Sequence, residues 1–303
     1  IEVERPAITT FSAIMHIIKQ TADISAYLQK ERRSGKKCGF IPTMGALHQG
    51  HLSLVNSARK ENELVVCSIF VNPTQFNDPK DFELYPKTLE NDIYLLEKAN
   101  CDVLFLPSTE QIYPPGKVHN EWYDLGVLES VLEGKYRPGH FQGVCQVVQR
   151  LIHIIEPEQL YIGQKDYQQC MVIKKLLSLT GVCTNIVICS TLREPGGLAM
   201  SSRNMRLSPD EKEKAAGIFE ALSYIAQNIQ PGPLEDMLAA AGNILSRYEL
   251  RADYVEIATA EDLRPINNWN GHTEIVALIA AYVGNVRLID NIILPLNFAG
   301  YGN

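Results

Sequence analysis

Short apolar runs alternate with amphipathic stretches through the first two thirds of the chain. The apolar runs have strand length and no polar face, whereas the stretches between them repeat apolar residues at helical spacing. Strands buried on both faces that alternate with helices are typical of a parallel sheet covered by helices on each side. The predicted strands are residues 15–19, 37–42, 64–71, 101–106, 159–163 and 184–189, and the predicted helices are 22–33, 51–62, 89–99, 144–155 and 167–179.

The alternation ends near residues 195–197, and a different pattern follows. Two polar-faced helical stretches, 209–228 and 234–248, are divided by a Pro-Gly-Pro sequence at 231–233 that predicts a turn. The remaining apolar segments, 252–258, 272–283 and 285–292, indicate a small antiparallel sheet. We therefore predict an α/β fold, with a Rossmann-like parallel sheet domain at 15–195 and a smaller C-terminal α+β lid domain at 196–303. Residues 1–14 form an extension of unknown role.

Composition narrows the class of protein. The 303 residues carry a formal net charge of -7, so the surface as a whole repels nucleic acid and acidic membranes. No apolar run approaches the roughly 18 residues that a membrane-spanning helix needs. The seven cysteines are scattered and never spaced as Cys-x-x-Cys, which suits a reducing compartment. We expect a cytoplasmic protein without nucleic-acid or membrane partners, in which local groups bind any anionic ligand.

The first candidate site is the sequence IPTMGALHQGH. A predicted strand ends at Pro42, and the chain turns through Gly45 into a helix that we expect to begin near His51. A helix N-terminus offers unpaired N–H groups and partial positive charge to a phosphate, and His48 and His51 add two imidazoles. We expect Gly50 to interrupt the helix between them, so that both rings converge on one ligand. Alternatively, one histidine caps the helix and the other lies on the surface; a metal site would need a third ligand.

Two further segments carry polar residues at loop positions. IGQKDYQQ places Gly163, Lys165 and Asp166 where another predicted strand passes into a helix. Lys165 is suited to bind phosphate and Asp166 to cap the helix, although an ordinary strand-to-helix turn explains the same residues.

The last segment, GLAMSSRN, covers residues 197–204 at the predicted domain boundary. Its hydroxyls and its arginine suit a loop that closes over a triphosphate. The alternative is that Ser202 or Asn204 caps a helix while Arg203 is solvated.

Five segments in one order resemble the pantoate:beta-alanine ligase family, and the resemblance extends from about Met15 to the C-terminus. They are IPTMGALHQGH, FVNPTQF at 70–76, GKYRPGHFQGV at 134–144, IGQKDYQQ at 162–169 and REPGGLAMSSRN at 193–204. The first and last also look like the HIGH and KMSKS signatures of the wider nucleotidylyltransferase superfamily.

The resemblance implies an ATP-dependent ligase of pantothenate and coenzyme A biosynthesis. In this family pantoate reacts with ATP to give pantoyl adenylate and pyrophosphate, and beta-alanine then attacks the acyl carbon to release AMP and pantothenate. The substrates implied are therefore ATP, pantoate and beta-alanine. Mg²⁺ is expected to bridge the phosphates, and a homodimer is expected because the family commonly forms one.

The resemblance also implies roles for individual residues. His51 takes the role of proton donor, and His48, Lys165 and Arg203 complete the catalytic set. The ATP-binding residues are Met44, Gly45, Ala46, Leu47, His48, Gln49, Gly50, His51, Gly163, Gln164, Lys165, Asp166, Met200, Ser201, Ser202 and Arg203, together with Leu192, which contacts adenine through its backbone. The substrate-binding residues are Gln75 and Gln169 for pantoate, Asn72, and Arg137 and His140 near the acyl substrate. The alternative for the last two is that the RPGHF sequence is a structural turn.

Two positions depart from the family pattern. Asp92 is the expected magnesium ligand, but Glu90 and Asn91 stand beside it where family members tend to carry more aspartates. Gly196 replaces a usual aspartate, and we interpret this as a loop change outside the chemistry.

Three alternatives follow from the same residues. A nucleotidylyltransferase that stops after nucleotide transfer fits the first loop, but FVNPTQF and the paired Gln168 and Gln169 argue against it. A class I aminoacyl-tRNA synthetase lacks support because nothing basic enough to bind tRNA is present. A nucleotide-sensing module without catalysis is disfavoured because both histidines, Lys165 and Arg203 are present.

Overall fold

The structure, a computed structural model, describes residues 14–76, 82–83, 85–116 and 121–294. The expected N-terminal extension at 1–14 therefore lies outside the described residues apart from Ile14, which is exposed.

Six parallel strands form the main sheet, as the apolar runs predict. They are β1 (His16–Ile18), β2 (Cys38–Thr43), β3 (Leu64–Ile69), β4 (Val103–Phe105), β5 (Gln159–Gly163) and β6 (Asn185–Cys189). Their order across the sheet is β1-β4-β3-β2-β5-β6, and every neighbouring pair is parallel. The expected α/β class is confirmed, and the strand ends differ from the predicted ones by at most two residues.

Helices connect these strands and cover the sheet. They are α1 (Thr21–Arg33), α2 (Gln49–Glu61), α3 (Leu89–Lys98), α4 (Thr109–Ile112), α5 (Leu132–Tyr136), α6 (His140–Ile155) and α7 (Tyr167–Thr180). The periodicity does not reveal α4 and α5 because each is about one turn long. The start of α6 was predicted four residues too late: Gly139 has a left-handed φ of 79°, so the chain turns sharply and becomes helical at His140.

Alternate residues of each strand pack on opposite faces of the sheet. Phe40 and Leu160 lie in the apolar cluster on one face, with residues of α1, α6 and α7. Their neighbours Ile41 and Tyr161 lie in the cluster on the other face, with residues of α2 and α3. Burial on both faces is the physical reason why these strands are continuous apolar runs. Within the described residues, no helix combines the length and the apolar character that crossing a membrane requires.

The C-terminal part forms a second, smaller unit of helices and antiparallel strands. Its elements are α8 (Pro209–Asn228), β7 (Gly232–Pro233), α9 (Glu235–Arg247), β8 (Arg251–Thr259), β9 (Asn268–Trp269), β10 (Ile275–Val283) and β11 (Val286–Leu294). Strands β11-β10-β8 form the antiparallel sheet that the sequence predicts. The Pro-Gly-Pro segment is more than a turn, because β7 pairs with β9 beside the buried Trp269. An apolar cluster drawn only from residues 198–294 fills this part. The domain boundary at 195/196 stays a prediction.

A buried ion cluster joins the C-terminal sheet to the parallel-sheet part. The guanidinium of Arg287 in β11 donates two hydrogen bonds of 2.7 and 2.8 Å to the carboxylate of Glu133 in α5. Its Nε donates a third, of 2.8 Å, to Asp253 in β8. Since Glu133 is only 8% exposed, this bidentate pair holds α5 firmly against the second sheet.

The order of the strands places two loops side by side. From β2 the chain proceeds through β3 and β4 toward one edge of the sheet, and later through β5 and β6 toward the other. The direction of winding therefore reverses between β2 and β5. In open parallel sheets, ligands bind at such a reversal, outside the carboxyl ends of the strands. His48 ends the loop after β2 and His51 lies in the first turn of α2, whereas the loop after β5 carries Lys165.

Candidate active site

A cleft of about 300 Å³ opens at this reversal, and all five sequence segments contribute to its walls. This volume lies at the lower end of the range for small-molecule sites, roughly 300–1,000 Å³. The predicted site residues that line the cleft are Met44, His48, Gly50, His51, Asn72, Gln75, Arg137, His140, Gly163, Lys165, Asp166, Gln169, Leu192, Met200, Ser201, Ser202 and Arg203. Gly45, Ala46, Leu47, Gln49, Gln164 and Asp92 are not among the lining residues.

The two histidines cap the helix that follows them. Helix α2 begins at Gln49 rather than near His51, and His48 is its N-cap residue. The Gly50 N–H donates to Nδ1 of His48 at 3.1 Å, and the His48 N–H donates to Nδ1 of His51 at 3.3 Å. The alternative of one capping and one surface histidine is therefore wrong, because both rings cap the helix and both line the cleft.

This capping fixes the tautomer of each ring. A nitrogen that accepts a hydrogen bond carries no proton, so each neutral imidazole has its hydrogen on Nε2. Burial, reinforced by Lys165, lowers the pKa of His48 to about 4. Burial, reinforced by His48, lowers the pKa of His51 to about 3. Near neutral pH the cleft therefore presents two uncharged rings, each with an Nε2–H to donate.

Gly50 serves close packing rather than interruption of the helix. It lies inside α2, contrary to the interpretation of the sequence. A Cβ at this position would come within 2.8 Å of Cε1 and 2.9 Å of Nδ1 of His48. Only glycine lets the His48 ring fold over the first turn, with its centroid 4.1 Å from that of His51.

Asp92 holds the histidine loop from behind. Its carboxylate is fully buried, and it accepts hydrogen bonds from the N–H groups of Ala46 at 2.9 Å and Leu47 at 2.8 Å. The hydroxyl of Thr88 donates a third bond of 3.0 Å. The predicted magnesium ligand thus lies outside the cleft lining, and its oxygens are occupied by the protein. No group of three potential metal-ligating side chains exists in the described part of the chain.

The second loop brings a lysine into the cleft. Lys165 has a side chain only 15% exposed, and its Nζ lies 3.5 Å from the carboxylate of Asp166. Asp166 occupies the N-cap position of α7, but its side chain makes no capping bond, so the predicted cap is wrong. Asn291 of β11 fixes this loop by donating from its amide to the carbonyls of Gln164 at 2.9 Å and Lys165 at 2.8 Å.

The Ser-Ser-Arg segment contacts the histidine loop directly. Ser201, rather than Ser202 or Asn204, caps the short helical turn that follows, accepting from the Arg203 N–H at 3.2 Å. The hydroxyl of Ser202 instead donates to the carbonyl of Ala46 at 3.1 Å. The two halves of the cleft are therefore hydrogen-bonded to each other.

Leu192 aligns the Ser-Ser-Arg segment with the end of β6. The Met200 N–H donates to the Leu192 carbonyl at 3.0 Å, while the Leu192 side chain stays 40% exposed at the cleft.

Amide side chains form a network around Gln75 in the cleft. Gln75 is almost buried; its Oε1 accepts from Asn72 at 3.1 Å, and its Nε2 reaches the Met44 sulfur at 3.3 Å. His140 donates from Nδ1 to the Gln75 carbonyl at 2.8 Å, because a carbonyl only accepts. Its Nε2 therefore accepts from Arg137 at 3.3 Å. Burial, reinforced by Arg137, lowers the pKa of His140 to about 4, which keeps this ring neutral.

Asn72 lines the cleft, but its side chain is hydrogen-bonded to other parts of the chain. Its amide donates to the carbonyl of Gly143 at 3.1 Å, and its Oδ1 accepts from Tyr113 at 2.9 Å. With 1% exposure, it holds the turn at 73–75 against α6.

The cleft also has lining residues that the motifs did not single out. These are, among others, Phe70, Tyr85, Ser190, Thr191 and Arg206. Their positions in the sequence could have indicated several of them. Tyr85 lies shortly before Asp92 in the chain, and Phe70, Ser190 and Thr191 follow the ends of β3 and β6.

A winding reversal bordered by two helix N-termini, with imidazoles on one side and a lysine on the other, defines a Rossmann-like α/β protein with a polar cleft at the carboxyl ends of its strands. A family model described as pantoate-beta-alanine ligase matches residues 16–293. Pantothenate synthetase from Cytophaga hutchinsonii is 46% identical over 282 residues, which cover 92% of this chain and 99% of that protein. The chain belongs to the pantoate-beta-alanine ligase family.

Solved structures agree with this assignment. The crystal structure of pantothenate synthetase from Thermus thermophilus matches with a TM-score of 0.84 at 39% identity, covering 93% of this chain and 100% of that one. Pantoate-beta-alanine ligase from Francisella tularensis, complexed with beta-gamma ATP and beta-alanine, matches with a TM-score of 0.76 at 38% identity, covering 92% and 98%. The expected family and the Rossmann-like fold are confirmed.

Proposed function

We propose that this protein is an ATP-dependent ligase that condenses pantoate with beta-alanine to pantothenate through a pantoyl-adenylate intermediate. The observation that carries the proposal is the convergence of five family segments on one cleft, which is lined by imidazole, cationic and amide side chains. The Francisella tularensis relative, which was crystallised with beta-gamma ATP and beta-alanine, supports the same substrates.

In the first half-reaction a carboxylate oxygen of pantoate attacks the α-phosphorus, and the bond to pyrophosphate breaks. Negative charge grows on the leaving pyrophosphate, so groups that bind it more tightly at that stage accelerate the step. His48 and His51 donate Nε2–H hydrogen bonds, while Lys165 and Arg203 contribute positive charge. The bound triphosphate would also raise the pKa of both rings, because nearby negative charge favours the protonated form. That shift would make proton donation by His51 available during the reaction.

In the second half-reaction the neutral amine of beta-alanine attacks the acyl carbon, and AMP leaves. Gln75 and Gln169 suit the binding of pantoate, because an amide both donates to a carboxylate and accepts from a hydroxyl. Among the described residues, the Gln75 amide donates to the Met44 sulfur, a weak acceptor, so a substrate oxygen can replace it at little cost. Arg137 and His140 keep Gln75 in place through its carbonyl.

The described residues contain no group of three histidine, cysteine or carboxylate side chains that could hold a magnesium ion. Asp92, the expected ligand, is occupied by backbone N–H groups. Because Mg²⁺ binds largely through substrate phosphates and water, an ion that accompanies ATP needs few protein ligands. We assign no step to it. The homodimer and the cytoplasmic location stay predictions of the sequence.

The decisive experiment is a reaction in which each component is left out in turn. We expect AMP to form steadily only when ATP, pantoate, beta-alanine and magnesium are all supplied, with chromatography of nucleotides as the readout. Steady AMP formation without beta-alanine, beyond slow hydrolysis of the adenylate, would refute the ligase function.

The role of His51 in the reaction can be tested separately from its role as a helix cap. We expect His51→Ala to lower kcat by roughly 10²- to 10³-fold, the usual effect of removing one donor that stabilises transition-state charge. In His51→Asn, the amide oxygen replaces Nδ1 as the capping acceptor, but the Nε2–H is lost, so we expect a similar loss of kcat. Far-UV circular dichroism and thermal unfolding serve as fold controls. Near-normal kcat in the asparagine variant would make His51 a structural residue.

A further inference from the structure

The peptide group that joins Ala46 to Leu47, the Ala46 peptide, is held from two sides by residues of different elements. Its N–H, which is that of Leu47, donates to Asp92 in α3 at 2.8 Å, and the preceding N–H, that of Ala46, donates to the same carboxylate at 2.9 Å. Its carbonyl accepts from Ser202 of the Ser-Ser-Arg segment at 3.1 Å. Ala46 lies two residues before His48, so any displacement of this peptide displaces the ring that caps α2.

The backbone at this point adopts a conformation that needs support. Ala46 has a φ of 50°, in the left-handed region that residues with a side chain rarely occupy. Gly45 before it has a φ of 81°, and a Cβ there would lie 3.1 Å from Oδ2 of Asp92. Such conformations persist where the surroundings determine them, and they cluster at functional sites. Here the determining contact is a buried carboxylate against two consecutive N–H groups.

Asp92 is built for this contact. It is 0% exposed, each oxygen accepts from one backbone N–H of the loop, and the Thr88 hydroxyl adds a third bond. A carboxylate that accepts N–H bonds in a buried setting makes stronger and more directional hydrogen bonds than a neutral acceptor. Its position behind the loop, outside the cleft lining, separates this role from contact with a substrate.

We propose that Asp92 is a positioning residue for the adenylation step, which acts through the Ala46 peptide on His48 and His51. The same peptide couples the histidine loop to Ser202, so that the two halves of the cleft hold each other in register. This inference rests on the proposed ligase function. It also differs from magnesium binding by Asp92, because loss of a metal ligand would change the magnesium dependence of the reaction.

The test compares Asp92→Asn with Glu90→Gln. The first replaces one accepting oxygen by an amide that cannot accept, at almost unchanged volume. The second makes the same change of charge on an exposed residue of the same helix. For Asp92→Asn we expect kcat to fall about 10- to 100-fold, equivalent to about 1.4–2.7 kcal/mol, with the KM for beta-alanine and the magnesium dependence unchanged. Glu90→Gln should behave as the parent enzyme.

A double-variant cycle tests the coupling. Ser202→Ala removes the second contact of the Ala46 peptide. If the peptide transmits both contacts, the variant with Asp92→Asn and Ser202→Ala together loses clearly less kcat than the product of the two single losses. Losses that multiply would overturn the coupling.

An activity-independent readout is amide hydrogen exchange in the protein without substrates. At least one of the N–H groups of Ala46 and Leu47 should exchange faster in Asp92→Asn than in Glu90→Gln, because one of them loses its acceptor. If Asp92→Asn does not fold, Thr88→Val removes only the third bond, and we expect a smaller loss of kcat in the same direction.

Three results would overturn the positioning role. They are an unchanged kcat in the variant that folds, unchanged exchange of both amides, or a loss that excess magnesium restores. An inactive parent enzyme would instead refute the ligase function, and the exchange experiment would still decide whether Asp92 holds the loop.

Discussion

Gly143 is a position where adding one methyl group should change the reaction kinetics more than the stability of the fold. It lies in α6, against the turn at residues 73–75 that ends in Gln75. A Cβ at Gly143 would come within 2.5 Å of the Thr74 carbonyl oxygen and 2.9 Å of the Gln75 Cα. Both are backbone atoms, so no side chain can rotate away. Restoring an ordinary contact of 3.4 Å requires the turn and the helix to separate by about 0.9 Å.

Two opposing effects determine the stability of Gly143→Ala. Alanine is favoured over glycine inside a helix by about 1 kcal/mol. Overpacking a tight contact costs about 1–3 kcal/mol. The balance predicts a free energy of unfolding that is unchanged or lower by up to about 2 kcal/mol.

The kinetic effect should be larger than the effect on stability. Displacing a positioning residue by about 1 Å costs up to roughly 10²-fold in rate. Since the turn carries Gln75, we expect kcat/KM for pantoate to fall about 10- to 100-fold in Gly143→Ala. Steady-state kinetics with varied pantoate and urea denaturation measure the two effects.

Gly242 provides the matched control for this experiment. It also lies inside a helix, α9, but a Cβ there meets nothing within 4 Å. Gly242→Ala should therefore raise the free energy of unfolding by up to about 1 kcal/mol and leave the kinetics unchanged. If Gly143→Ala is as active and as stable as Gly242→Ala, the reasoning from close approach is refuted.

Two further predictions concern stability. The folded-state pKa values of His48, His51 and His140, about 4, 3 and 4, lie below the ordinary 6.5, so the unfolded chain binds more protons between about pH 4 and 6.5. The free energy of unfolding should decrease as the pH falls from 6.5 toward 4. Urea denaturation at pH 7.5 and 5.0 should show a smaller decrease in His140→Asn than in the parent protein. An equal decrease in the two proteins would contradict this prediction. Arg287→Met should cost about 3–5 kcal/mol, because it leaves Glu133 buried without its cation, and adding Glu133→Gln should recover part of the loss in urea denaturation. A cost below about 1 kcal/mol would show that the pair is not structural.

The helix starts show where sequence patterns lose precision. The chain becomes helical at Gln49 and at His140, in each case earlier than the apolar spacing indicates. Apolar periodicity reports which face of a helix is buried, but the first turn is decided by capping contacts. At α2 those contacts come from two histidine rings, which are uncommon caps and so give no composition signal.

Asp92 shows the same limit within the site. From the sequence it is the carboxylate that the family resemblance makes the expected magnesium ligand. Its burial against the N–H groups of Ala46 and Leu47 depends on how α3 packs beside the histidine loop, two elements separated by more than forty residues. A local sequence pattern does not report a contact between residues so far apart in the chain.

The parallel sheet and the small antiparallel sheet follow from residue type and spacing, because the pattern of burial is written in the linear chain, and the family follows from the resemblance of five ordered segments. The cleft-lining residues of the loops after β2 and β5 follow from the same pattern, since loops after parallel strands meet at one edge, whereas Gln75 and Arg137 are implied by the resemblance. The protonation of the two histidines, by contrast, is a property of the folded chain. Their Nδ1 atoms accept backbone N–H bonds and their rings are buried, so each presents a neutral Nε2–H. Tautomer and pKa depend on hydrogen-bond partners and solvent access, which exist only once the chain has folded.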